Sequence, residues 1–301
     1  TNPHTSMHPF HVGVSSAIDN SLKKKYFCAL MRKRPFSITL IAVAMLLSLA
    51  GCKTEFEKIR VSGDAEQLYR KGIEYYEEGD YLRAQTLLEL AIPSFRGRQE
   101  GEELFFKYAY TQYYLGKYIL AAYYFENFAN SFGGSILKEE AEFMAAFSNY
   151  RLSPSFRLDQ TYTEKAIEAF QEFANTYPQS DRLLEVNRLI DEMRRKLEEK
   201  AFVNAQLYFD IRQYQSAIQS FENLLKDFPE TLSAEKVRYL IVRSNFLLAD
   251  NSILEKRAER FRDTIEACEK FLKKYPESAY LDELTDIQDT AKKKLKSLED
   301  V

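Results

Sequence analysis

Small side chains recur in this chain at one fixed interval. Gly72, Ala109 and Ala146 stand 37 residues apart, and so do Ala205 and Val242. In the first unit Leu68, Gly72, Tyr75, Gly79, Ala84, Leu88 and Ala91 follow at steps of 4, 3, 4, 5, 4 and 3. Such steps place one stripe on a helix face, and no alternating strand pattern competes with it. A unit of this length holds two helices that cannot bury their apolar faces alone, so the units must stack on one another. A second series, Ala84, Ala121, Ala166, Ala217 and Thr264, marks the crossing point on the second helix of each unit. In the last three units this residue precedes a proline by 12 positions, at Pro178, Pro229 and Pro276. Those turns read Asn-Thr-Tyr-Pro-Gln-Ser, Lys-Asp-Phe-Pro-Glu-Thr and Lys-Lys-Tyr-Pro-Glu-Ser. A proline after an aromatic stops the second helix, and Ser180, Thr231 or Ser278 can cap the next one.

This frame resembles the tetratricopeptide repeat, a pair of antiparallel helices that approach closely at their small residues. The resemblance implies an all-α solenoid of about five helix pairs with a capping helix over Ser278 to Leu298. One step is irregular: Ala146 to Ala205 spans 59 residues. It holds a loop from Leu152 to Thr163 and an unbroken helical stretch from Asp181 to Phe209, which joins three repeats in residues 64–180 to two in residues 181–301. A second long loop is expected over Ala249 to Lys256. Tyr75 and Tyr208 fall at the consensus core position, and Cys268 replaces a core Leu or Phe.

Upstream of the repeats, Arg32, Lys33 and Arg34 precede an apolar run of 13 residues, Ile38 to Ala50, and then Gly51 and Cys52. The run is too short to span a bilayer and has the flanks of a cleaved segment. Leu49-Ala50-Gly51-Cys52 resembles the lipobox of bacterial lipoproteins, which implies signal cleavage after residue 51 and acylation of Cys52. Two or more acyl chains, at about 0.8 kcal/mol per buried methylene, hold a chain stably to a membrane. Residues 1–30 lack periodicity and read as a disordered upstream extension, residues 31–51 as the signal, and residues 52–63 as a lipidated tether.

Removing that signal restricts the chemistry. His4, His8, His11 and Cys28 all lie in it or before it, so the mature chain has no histidine and only Cys268 besides Cys52. A histidine-based triad, a Cys/His pair and a zinc site with nitrogen or sulfur ligands are excluded, and no catalytic residue, metal site or cofactor is expected beyond the lipid on Cys52. The mature chain carries 36 basic and 44 acidic residues, a net charge of about −8, which argues against nucleic acid as a partner.

In tetratricopeptide repeats the first helix of each pair lines the concave face. The positions that do so here hold Tyr69, Ile73 and Tyr76, then Phe106, Tyr110, Tyr113 and Tyr114, then Phe143, Phe147 and Tyr150. Eleven of the 20 tyrosines lie between Tyr69 and Tyr124. Rings with hydroxyls at their tips suit an extended, aromatic-rich peptide, whereas clefts for acidic peptides use Lys, Arg and Asn.

The lipobox at Cys52, the segment Ala65 to Ala91, the insert Leu158 to Phe170, the run Lys196 to Ala201 and the stretch Ala249 to Arg257 with Arg260-Phe261 together resemble the BamD family of outer-membrane assembly lipoproteins. That resemblance implies a lipid-anchored protein of the outer membrane, facing the periplasm. Its first repeats would bind unfolded β-barrel precursors, and its last repeats would dock a BamA-type barrel insertase. Arg195, Arg238, Arg243, Arg257 and Arg260 are the docking candidates. Two alternatives stand beside it: another periplasmic repeat lipoprotein serving pilus or secretin assembly or envelope coordination, and a peptidoglycan-cleaving enzyme with a helical superstructure. The second needs a catalytic domain for which the repeats leave no room.

Overall fold

The computed structural model describes residues 54–300. The expected extension, signal and lipidated cysteine therefore lie outside the described residues. The chain divides at Ser62/Gly63 into two units. In the described part of the first unit, α1 (Glu55–Arg60) is capped by the Thr54 side chain, which accepts from the Glu57 N–H, and Arg60 pairs with Glu57 at 2.8 Å.

The second unit is a tetratricopeptide-type solenoid. Its helices are α2 (Ala65–Glu77), α3 (Tyr81–Phe95), α4 (Glu100–Tyr114), α5 (Tyr118–Ser131), α6 (Lys138–Leu152), α7 (Thr161–Thr176), α8 (Leu183–Asp210), α9 (Tyr214–Asp227), α10 (Ala234–Asp250), α11 (Leu254–Lys274) and α12 (Leu281–Glu299). Helices α2 to α11 form five antiparallel pairs and α12 caps the last; the described residues contain no strand. The small residues do what their spacing demands. Ala84, Ala109, Ala121, Ala146, Ala166, Ala205, Ala217 and Thr264 are fully buried. A Cβ on Gly72 would stand 2.7 Å from Leu88 Cδ2, so α2 and α3 can approach only because that atom is missing.

Within units one, two and four the first helix ends in the same way. The N–H groups of Asp80, Lys117 and Gln213 reach back to the carbonyls of Tyr75, Gln112 and Tyr208 at 2.8 to 2.9 Å. This closure needs a left-handed residue, supplied by Gly79 (φ 80°), Gly116 (φ 71°) and, without glycine's freedom, Arg212 (φ 63°). Second helices end at Phe132, Tyr177, Phe228 and Tyr275, whose ψ of 54° to 70° leaves the helical region; for the last three the following proline enforces it.

Ser180, Thr231 and Ser278 do not cap the coming helix; each stands two residues before its N-cap position, Arg182, Ser233 or Tyr280. Each hydroxyl accepts the backbone N–H two residues on, inside the turn, as does Ser135. Each also donates to a glutamate at the preceding unit's first helix: Ser135 to Glu102, Ser180 to Glu139, Thr231 to Glu198 and Ser278 to Glu235. One hydroxyl thereby ties a turn to the helix pair before it, four times over.

Two apolar cores share α8. Val186, Leu189, Ile190 and Met193 belong to a core running from Ala109 through α7, while Ala205, with Ala201, Phe202 and Phe209 against it, belongs to a second core that continues to Leu284 on α12. The loop expected over residues 249–256 is shorter than the sequence suggested: α10 runs to Asp250 and α11 begins at Leu254. Arg257 closes that turn by donating to the carbonyls of Ser252 at 3.0 Å and Asp250 at 2.7 Å, and Arg260 donates to the Ser252 hydroxyl. Tyr208 is 41% exposed rather than in the core. Cys268 is fully buried, and burial pushes its thiol up to about 12, so it stays protonated and inert.

Candidate functional site

Because α2, α4 and α6 are first helices of consecutive pairs, residues at equivalent heights on them meet. Their rings form a connected ladder. Tyr76 lies 6.3 Å from Tyr114 between centroids, Tyr114 stacks on Tyr110 at 5.8 Å, and Tyr113 lies 6.2 Å from Phe147. Phe147 stacks on Tyr150 at 5.4 Å and on Phe143 at 5.7 Å, while Phe106 meets Tyr110 edge-on at 5.1 Å. Ring pairs at these distances hold one another in place beyond what area alone gives. Tyr69 sits apart, 4.9 Å from Phe95, and Ile73 is half-buried among the same helices.

Burial sorts the ten residues. Phe143 is only 3% exposed, packed 5.8 Å from both Phe170 and Phe173, so it supports the ladder from below. Phe106 leans inward on Phe125 and Phe128. Tyr114, 48% exposed, presents the most surface. The remaining tyrosines and Phe147 are half-buried, with part of each ring open.

Three of the hydroxyls are already engaged. Tyr69 donates to Glu103 at 2.7 Å, Tyr110 to Glu140 at 2.5 Å and Tyr150 to Glu192 at 2.8 Å, each across to the next first helix. Burial, followed by these carboxylate bonds, raises all three phenols above the ordinary 10.0. Such oxygens remain acceptors, so at those three positions a ligand would meet ring faces and lone pairs rather than free O–H donors. Cations border the rings. Lys107 Nζ lies 4.4 Å from the Tyr76 centroid, Arg151 lies 4.8 Å from Tyr118 and donates to the Tyr113 hydroxyl at 3.2 Å, and Arg182 covers Phe143 at 4.1 Å while pairing with Glu140.

Sequence reasoning missed Tyr81, the closest partner of Tyr114, stacked at 4.3 Å and 17°. It opens a second helix, outside the first-helix positions that the repeat frame singles out. Tyr118 opens α5 and Tyr214 opens α9 in the same register, so the tyrosine repeated after three of the five turns was the signal.

The five arginines are not brought together. Arg195 is exposed on α8, beside a cleft of about 670 Å³ between α8 and the α9–α10 turn. Arg243 pairs with Glu283 at 3.3 Å and lies over Phe209 and Tyr239. Arg257 and Arg260 are spent on the α10–α11 turn. Arg238 lines a cleft of about 610 Å³ between α9, α10 and α11, its Nε buried without a partner.

Comparison with known proteins bears on what such a scaffold is for. Residues 62–256 match the family model described as "YfiO: Outer membrane lipoprotein". The chain is similar to the "Putative outer membrane protein assembly factor BamD" of Aquifex aeolicus (strain VF5), 29% identical over 79% of this chain and 78% of that one. It is also similar to the "Outer membrane protein assembly factor BamD" of Rickettsia prowazekii (strain Madrid E), 21% identical over 67% of this chain and 80% of that one. Among solved structures it resembles the TPR2AB domain of yeast Sti1 (TM-score 0.35, 12% identity, 76% and 98% covered) and a thermophilic tetratricopeptide protein of Thermus thermophilus (TM-score 0.29, 15% identity, 75% and 98% covered). A match over residues 62–256 places the chain in the YfiO family of outer membrane lipoproteins.

Proposed function

We propose that this protein is an assembly factor for outer-membrane proteins that acts by binding, without covalent chemistry. Acyl chains on Cys52 anchor it in the outer membrane, facing the periplasm, and residues 53–63 serve as the tether. The ladder on α2, α4 and α6 receives the aromatic signal of an unfolded β-barrel precursor. The last two repeats dock a barrel insertase of the BamA type through Arg195 on α8 and Arg238 and Arg243 on α10, while Arg257 and Arg260 hold the α10–α11 turn in shape. Tethering raises the effective concentration of precursor beside that insertase. Family membership and the assembly role in the relatives' names support the class of function.

The observation that carries the precursor site is the continuous ring ladder, with Arg151 at its end. Among the described residues Arg151 has no carboxylate within 4 Å, so it is the cation available to a peptide's terminal carboxylate. The test is purification of C-terminally tagged protein from detergent-solubilised membranes, beside a Cys52→Ser control. A near-stoichiometric outer-membrane barrel protein with periplasmic repeats is expected with the wild type. Recovery of a secretin, or of no barrel protein, would refute the assembly role.

A further inference from the structure

Two residues before, two after and six after the small residue of each first helix, side chains point away from the helix's own partner and toward the preceding unit. In the interior units the first two positions are buried apart from Lys107 on α4, which pairs with Glu77, and the third, Leu115, Leu152 or Leu248, is half-buried. Thr111 on α4, Met144 and Ser148 on α6, and Leu240 and Ser244 on α10 are all buried. On α2, where the array starts, the same positions hold Arg70, Glu74 and Glu78, all exposed, the polar face that an array end requires. On α8 they hold Val203, Leu207 and Ile211, which are 43%, 56% and 54% exposed. The cause is the length of α8. Its first half is covered through the first core, the α6–α7 loop and the start of α7 reach as far as Lys200 and Asn204, and beyond them the second half begins a new array. This second start is apolar where the first is charged.

We propose that this face of α8 seats a basic amphipathic helix from a partner protein, in the place that a preceding second helix holds in the interior units. The inference does not depend on the precursor site or on the insertase. The interior units show what covers these positions: α5 packs on α6 and α9 on α10. Residues 203–211 span about 12 Å at 1.5 Å per residue, room for two to three turns of an incoming helix. Charge fixes its edge. Glu199, Gln206 and Asp210, spaced 7 and 4 apart, line one flank of the stripe. Asp210 accepts from Gln206 Nε2 at 2.9 Å, and among the described residues neither carboxylate has a cation within 4 Å. An occupant with Lys or Arg along that edge completes the flank, and an acidic one is repelled.

Two labelled helical peptides test this on the full chain by fluorescence anisotropy. Both carry one Ala/Leu/Phe stripe; one is flanked by lysines, the other by glutamates. The lysine-flanked peptide should bind at least tenfold more tightly, Leu207→Glu should abolish that binding, and Glu199→Lys with Asp210→Lys should invert the preference. Substitution of Glu74 on α2 by alanine should change nothing, and unchanged thermal unfolding of each variant shows that folding is intact. Equal binding of both peptides, insensitivity to Leu207→Glu, or self-association of the chain through this face in sedimentation would each overturn the proposal.

Discussion

The Tyr110 hydroxyl donates to Glu140 from a half-buried position, and Arg182 closes on the same carboxylate. Tyr110→Phe leaves Glu140 its arginine, so the loss is that of one hydrogen bond, about 1 kcal/mol in urea unfolding; an unchanged midpoint would show that the bond contributes nothing. The raised phenols also set a pH limit. Their unfolded value is 10.0 and their folded values lie higher, so the unfolded state loses its protons first as pH rises. Stability from these tyrosines is fully present below pH 10 and declines above it. Absorbance at 295 nm should show tyrosinate appearing together with loss of helix. At this scale the fully buried small residues were legible, because sterics at a helix crossing leave one kind of side chain possible. The serine–glutamate ties were not, since Glu139 and Glu235 stand 41 and 43 residues before their partners and look like solvated face charges.

Among the elements, the turn after α8 carries a cost the other turns avoid. Arg212 holds the left-handed conformation that Gly79 and Gly116 hold elsewhere. Arg212→Gly should therefore stabilise the protein by about 1 kcal/mol, read as a raised melting temperature. Gly72→Ala works in the opposite direction, because its Cβ would press on Leu88; a loss of about 1–3 kcal/mol is expected from overpacking. Helix number and order from α2 onward, the long α8 and the capping α12 were readable from periodicity, whereas α1 lies in the segment read as a tether. The α10–α11 turn was not, because its brevity depends on Arg257 and Arg260 bonding backward onto Asp250 and Ser252, and a loop-like composition hides that. Tyr208 misled because it stands beside the start of the second core without entering it.

At the scale of the second unit, α8 joins two cores that touch it on successive halves, Leu197 against the first and Ala201 against the second. A proline between them, Glu199→Pro, removes one helical bond and kinks the helix at a cost of about 3 kcal/mol. Differential scanning calorimetry should then show two transitions in place of one. The ring ladder was half legible in advance. Its first-helix tyrosines followed from the frame, whereas the inward tilt of Phe106 and Phe143, and the part played by Tyr81, depend on how neighbouring pairs stack.

The ladder as a peptide platform is the central claim, and binding of a labelled peptide with a terminal aromatic residue and free carboxylate measures it directly. Anisotropy titration of the wild type should give saturable binding that falls at least tenfold in Tyr114→Ala and in Phe147→Ala, and falls again when Arg151→Ala is added or when the carboxylate is amidated. Undiminished binding in the ring variants, with their helical content intact, would contradict it.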